Sequence, residues 1–243
     1  MSQITLNPYP DLGGQFTAGM ASIIGAIPPT PSVVQFVNAV AAYVELAYYP
    51  PLTITPAQLV EVKSVAYHAI NNYVNPCGNL SNYNGMQLNF IKILTGPSLY
   101  SQLTVDSISN RILDVEDNIT KCNFGVDEQA PLFYATMIGV TAYNYWLAQI
   151  ALGAGSPWLA YFNAAKVSPT GNVPYWTAAS MEGALIGAKF SMRGMIDQTT
   201  QIVGLEIISA LVAALTIAAG KVIFVWIPKV QQGGNGIGLP CNC

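Results

Sequence analysis

Charge is what this 243-residue chain has least of. Lysine and arginine number 9 and aspartate and glutamate 12, so 9% of residues are charged, against roughly 25% in ordinary soluble domains. Nine scattered cations outnumbered by acids cannot form the electropositive stripe that a phosphate backbone requires, which sets nucleic acid aside as a partner. Neither Lys nor Arg precedes Lys63. The chain therefore lacks the positive start of a secretory leader, and the expectation is membrane association, or export by an unconventional route.

Catalytic signatures are also missing. Histidine occurs once, as His68 on the edge of an amphipathic pattern, and no neighbouring context marks a serine or cysteine as its nucleophilic partner. His-Glu-x-x-His, a Walker loop and a strand-associated dinucleotide fingerprint are all absent, and the glycines between Gly233 and Gly238 precede no helix. Asp114, Glu116 and Asp117 lack the spaced ligands and turn glycine of a calcium loop and read as a solvated helix face. The expectation is a non-catalytic protein with no cofactor, no metal and no small-molecule substrate.

Cysteine is sparse, at Cys77, Cys122, Cys241 and Cys243. A Cys77–Cys122 bridge and two free thiols both fit, and the terminal Cys-Asn-Cys lacks the second pair that a zinc site needs.

What the chain does have is apolar mass, 52% of residues, with 13 tyrosines and 4 tryptophans to supply contact area. Its few charges are unevenly placed. Half the acids lie between Asp106 and Glu128, while no charge stands between Asp11 and Glu45 or between Glu128 and Lys166. Those two stretches are candidates for the most deeply covered parts of the molecule.

Proline and glycine divide the sequence into helical patterns. Thr30-Pro31 opens an apolar run to Tyr49 that reads as a central buried helix, and Thr55-Pro56 opens an amphipathic one. A short helix is expected over 86–94. Val105, Ile108, Ile112, Val115 and Ile119 form a narrow seam. A helix then follows from Pro131, and another follows Tyr175-Trp176, with Gly183 and Gly187 permitting close approach to a neighbour. In that last pattern Glu182, Lys189, Arg193 and Asp197 are spaced for ion pairs. The fold expected is all-α: a compact multi-helix bundle over 1–229 with a very hydrophobic C-terminal helix, then a flexible Gly-rich tail at 230–243.

That C-terminal segment is the candidate functional element. Residues 207–227 are long enough at about 1.5 Å per residue to cross a core of roughly 30 Å. Ile207, Leu211, Leu215 and Phe224 supply apolar surface, Trp226 and Lys229 suit an interface, and Glu206 stands at the head of the run. Lys221 inside it argues for burial in protein, because a lysine in a span costs about 2.5–3.5 kcal/mol. Both settings fit. The leading expectation is association with or insertion into a lipid membrane after release from a helical bundle, an analogy of mechanism to pore-formers that no motif supports. The alternative is a self-assembling subunit of a filament, shell or particle, covered by copies of itself; an enzyme with no recognisable motif, its site assembled from distant residues, comes third.

Overall fold

The computed structural model describes residues 7–47, 55–72, 80, 82–96, 105–166, 168–194 and 203–224. Among these residues the chain forms nine α-helices and no strand, so the all-α bundle read from the sequence is the observed fold. The helices are α1 Asp11–Ala26, α2 Val33–Ala47, α3 Pro56–Asn72, α4 Gly85–Thr95, α5 Val105–Lys121, α6 Val126–Ala151, α7 Leu159–Ala165, α8 Pro169–Gly194 and α9 Val203–Ile223. The proposed tail at 230–243 lies outside the described residues, as do Trp226, Lys229 and Cys77. Cys122 is half-buried just after α5.

Helix starts are written in one recurrent device. A short polar residue is followed three positions later by glutamine, and each side chain accepts the other's backbone N–H. Ser32 and Gln35 do this at 3.2 and 2.9 Å, Thr55 and Gln58 at 3.3 and 2.9 Å, and Asn84 and Gln87 at 2.9 Å in both directions. Glutamine satisfies the orphan donors without adding charge. At α6 the glutamine is replaced by Glu128, whose carboxylate accepts the Gly125 N–H at 2.9 Å.

Three starts differ from the sequence reading. The first turn of α2 is capped by Ser32 rather than Thr30. Helices α6 and α8 begin before the residues expected to open them, and carry Pro131 and Pro174 as their sixth residues. Each proline removes one N–H from the ladder, to the carbonyl four residues earlier. Those carbonyls belong to Asp127 and Thr170, which are exposed, so water can take the missing donor's place.

The core is organised around α9, which packs against α8, α3, α1, α2, α7 and α6. Every residue from 208 to 222 is buried, as is every residue from 176 to 188 of α8. The expected depth is thus corrected. Helix α2 is not central, since Val34, Asn38, Ala42 and Leu46 face outward, and the deepest segments are not the two charge-free stretches. Freedom from charge permits burial but does not require it.

Helices α8 and α9 run antiparallel and meet through small residues. Gly183 lies against the backbone of Ala213 and Ala214, and Gly187 against Ser209. A second knot of the core is aromatic: Trp146 of α6 contacts Trp158 and Trp176 with ring centroids 5.0 and 4.7 Å apart. Phe162 of α7 stacks on Trp176 at 5.3 Å. Trp158 Nε1 donates to the Tyr145 hydroxyl at 2.6 Å, so that buried indole keeps its hydrogen bond.

The α8–α9 contact generates a paired prediction. A methyl on Gly183 would stand 2.7 Å from the Ala213 carbonyl oxygen and 2.9 Å from Ala214 Cα, both backbone atoms, so the helices must separate. Gly14 on the outer face of α1 has open space. Gly183→Ala is expected to cost about 2 kcal/mol or more. Gly14→Ala is expected to stabilise by roughly 0.5–1 kcal/mol. Urea unfolding of both variants checks this; equal midpoints would contradict the close approach.

Candidate functional site

The sequence-predicted segment is now placed residue by residue. Leu211 and Leu215 are fully buried, Glu206 and Ile207 are half-buried, and Lys221 and Phe224 are 5% and 6% exposed. Phe224 packs edge-on against Phe36 of α2 at 5.3 Å. The candidate span, Glu206–Ile223, has a mean hydropathy of 1.9, and 83% of it is buried inside the bundle. Its ionisable residues, Glu206 and Lys221, lie at opposite ends.

Lys221 is held by the antiparallel neighbour. Its ammonium lies 5.2 Å from the Tyr175 ring centroid of α8, and the buried Glu182 of the same helix favours its charged form. Burial acts more strongly and lowers the Lys221 pKa from 10.5 to about 7. Glu182 thus pairs electrostatically across to α9, where the sequence suggested partners along its own helix. At the other end, burial raises Glu206 from 4.5 to about 7, with Asp127 adding to the rise and Lys189 opposing it. Lys189 lies over the Tyr83 ring at 4.5 Å, and the Tyr83 hydroxyl donates to the Leu185 carbonyl at 2.7 Å.

Glu116 corrects a sequence reading. Asp114 is exposed and Asp117 pairs with Lys121, as a solvated face requires, but Glu116 is only 3% exposed. Helical geometry explains it: position 116 is four after Ile112 and three before Ile119, on the seam itself. Burial lifts this carboxyl to about 7, with the Asn7 side chain opposing the rise, and Oε1 has no hydrogen-bond partner. His68 sits half-buried with its ring 4.3 Å from Phe190.

Glu206, Asp127, Lys189 and Tyr83 act on one another near the start of α9, and Glu182 and Lys221 near its end. A recess between α3 and α9, about the size of one water, is lined mainly by apolar side chains including Val62, Val65, Ile208 and Val212. Among the described residues no three His, Cys, Asp or Glu side chains cluster as metal ligands.

The other candidate is a surface. Fifteen residues are exposed within 12–44 and eleven within 129–165, none of them charged. The two segments are brought together by the fold. Gly13 of α1 lies against Thr141 and Met137 of α6, Phe16 meets Tyr145 edge-on at 6.5 Å, and the Tyr161 hydroxyl of α7 donates to the carbonyls of Ile27 and Pro28. Exposed Ala18, Ala21, Ala148 and Leu152 therefore belong to adjoining helices. Exposed Asp11, Glu45 and Lys166 border these segments, and Arg111, Asp114, Lys121, Asp127 and Glu128 lie apart from them on α5 and the start of α6. Sequence reasoning noted the charge-free stretches but took them for buried.

The Lys221–Glu182 arrangement is testable by a double-mutant cycle. Lys221→Met leaves Glu182 buried without its cation and is expected to cost about 3 kcal/mol, whereas Glu182→Gln with Lys221→Met returns close to wild-type stability. Chemical denaturation at pH 6 reads both; additive losses would contradict the pairing. Comparison with known proteins finds no matching family model, no similar curated protein and no similar solved structure.

Proposed function

We propose that this chain is a non-catalytic helical subunit that assembles with copies of itself through the uncharged surface that 12–44 and 129–165 expose on α1, α2, the end of α6 and α7, inside an edge set by Asp11, Glu45 and Lys166. The observation that carries this reading is that surface. It exposes fifteen and eleven residues from two segments without one charge, comparable with the roughly 20–30 residues a side of a standard interface. Its exposed residues include Val34 and Leu152, at 56% and 55%. Depletion of charge is the compositional mark of an interface core. A copy facing a copy across such a surface meets no like-charge repulsion, even though the chain is net acidic at −3.

A second reading has its own support. Glu206–Ile223 passes for a membrane span by length and hydropathy, and a bundle that opened would hand α9 to a bilayer. It ranks second because α9 is already enclosed by six helices and because Lys221 would have to enter with it at a cost of about 2.5–3.5 kcal/mol.

Sedimentation velocity in lipid-free buffer tests the first reading. The wild-type chain is expected to associate reversibly as concentration rises, and Ala21→Glu with Ala148→Glu to weaken association by at least about 100-fold without lowering the melting temperature. A monomer at every concentration removes assembly; flotation of that monomer with neutral phosphatidylcholine vesicles moves the conclusion to the membrane.

A further inference from the structure

The charges that border the uncharged surface are sorted by sign along its length. Helices α1 and α2 form an antiparallel hairpin: the Tyr43 hydroxyl of α2 donates to the Gln15 carbonyl of α1 at 2.6 Å, and a methyl on Gly19 would stand 2.8 Å from the Tyr43 ring. Asp11, the first residue of α1, and Glu45, near the end of α2, therefore stand at the open end of that hairpin. Tyr161 of α7 marks the opposite end, because its hydroxyl donates to the carbonyls of Ile27 and Pro28, where α1 turns toward α2, at 3.2 and 3.0 Å. Lys166 follows Tyr161 by little more than one helical turn, about 7 Å along the axis. Asp11, Glu45 and Lys166 are all exposed. Between the two ends runs α1, 16 residues long and so about 24 Å, and no exposed residue of 12–44 or 129–165 adds a charge. Lys166 is also the one non-glycine residue with positive φ among those described. It closes α7 at φ 50° and ψ 40°, the left-handed C-cap conformation that favours glycine.

Resting on the assembly reading above, we propose that two copies meet face to face and antiparallel about a two-fold axis, so that Lys166 of each faces the partner's Asp11 and Glu45. An axis lying in the contact plane and crossing the long direction of the face exchanges its ends, which sets an acidic end against a basic one twice in each dimer. An axis running along the face would keep the ends in place, setting Lys166 against the partner's Lys166 and the acids against the partner's acids. Like charges disfavour that arrangement at both ends. The uncharged middle supplies contact area and is indifferent to direction, so the edge charges choose the register. As exposed rim groups they contribute orientation more than affinity, and salt screens them. The same surface is used on both copies, so assembly closes at the dimer.

Sedimentation velocity of the full chain at low ionic strength is expected to show a monomer–dimer equilibrium with no larger species. Lys166→Glu is expected to raise Kd by about tenfold or more, and Asp11→Lys with Glu45→Lys to do the same. All three substitutions together reverse both ends of the face and are expected to return Kd to within about threefold of wild type. Lys166→Gly removes the charge and suits the left-handed backbone, so Kd is expected to rise about fivefold while the melting temperature holds or rises. Charge reversals that leave Kd unchanged, a triple variant that binds no tighter than its parents, or species larger than a dimer overturn the antiparallel register and leave assembly itself standing. A wild-type chain that stays monomeric at every concentration removes both.

Discussion

Everything in this molecule is arranged around one apolar helix that must be kept out of water. Helix α9 is buried on all sides from residue 208 to 222, and no single neighbour can cover more than one face of a cylinder about 10 Å across. Six helices are recruited to do it. The closest of them, α8, approaches until Gly183 and Gly187 touch backbone, and that approach in turn brings Glu182 and Tyr175 to Lys221. Small-residue packing and the internal electrostatics are one arrangement seen at two points along the same antiparallel pair.

Enclosing α9 leaves a chain with few charges to distribute over its outside, and they are not spread evenly. Helix α5 and the start of α6 carry acids and bases, whereas the exposed residues of 12–44 and 129–165 carry none. A surface of alanine, glycine, proline and neutral polar side chains gains little by contacting ions or phosphate, and contributes shape and apolar area to another uncharged surface. The capping glutamines Gln35, Gln58 and Gln87 show the same economy of charge, using an amide where glutamate would serve. Glu116 differs in kind: it is a carboxyl on the buried seam of α5, where burial disfavours its charge.

Much of the fold was legible in local chemistry. Thr55-x-x-Gln58 marks a helix start because its side chains satisfy backbone donors wherever the helix packs, and the seam of Ile108, Ile112, Val115 and Ile119 marks a buried stripe through spacing alone. Depth was not legible. Absence of charge in 12–44 reads as burial, yet fifteen of those residues are exposed along α1, α2 and their connection, because which apolar helix becomes central depends on tertiary competition that a window of sequence does not contain. Pro131 reads as a start because proline favours the first turn, and the next helix reads as following Tyr175-Trp176; both helices begin earlier and carry Pro131 and Pro174 as sixth residues, where exposed partner residues make the lost bond tolerable. Glu116 is the instructive miss. Its neighbours Asp114 and Asp117 suggested a charged face, but its offsets from Ile112 and Ile119 placed it on the seam.

The central claim is that the uncharged surface is a contact surface between copies. Hydrogen–deuterium exchange mass spectrometry at low and high protein concentration tests it most directly, because it locates the contact as well as detecting it. The account predicts concentration-dependent protection in α1, α2, the last turns of α6 and α7, with α5 unchanged. Protection confined to 105–128, or none anywhere, would contradict it.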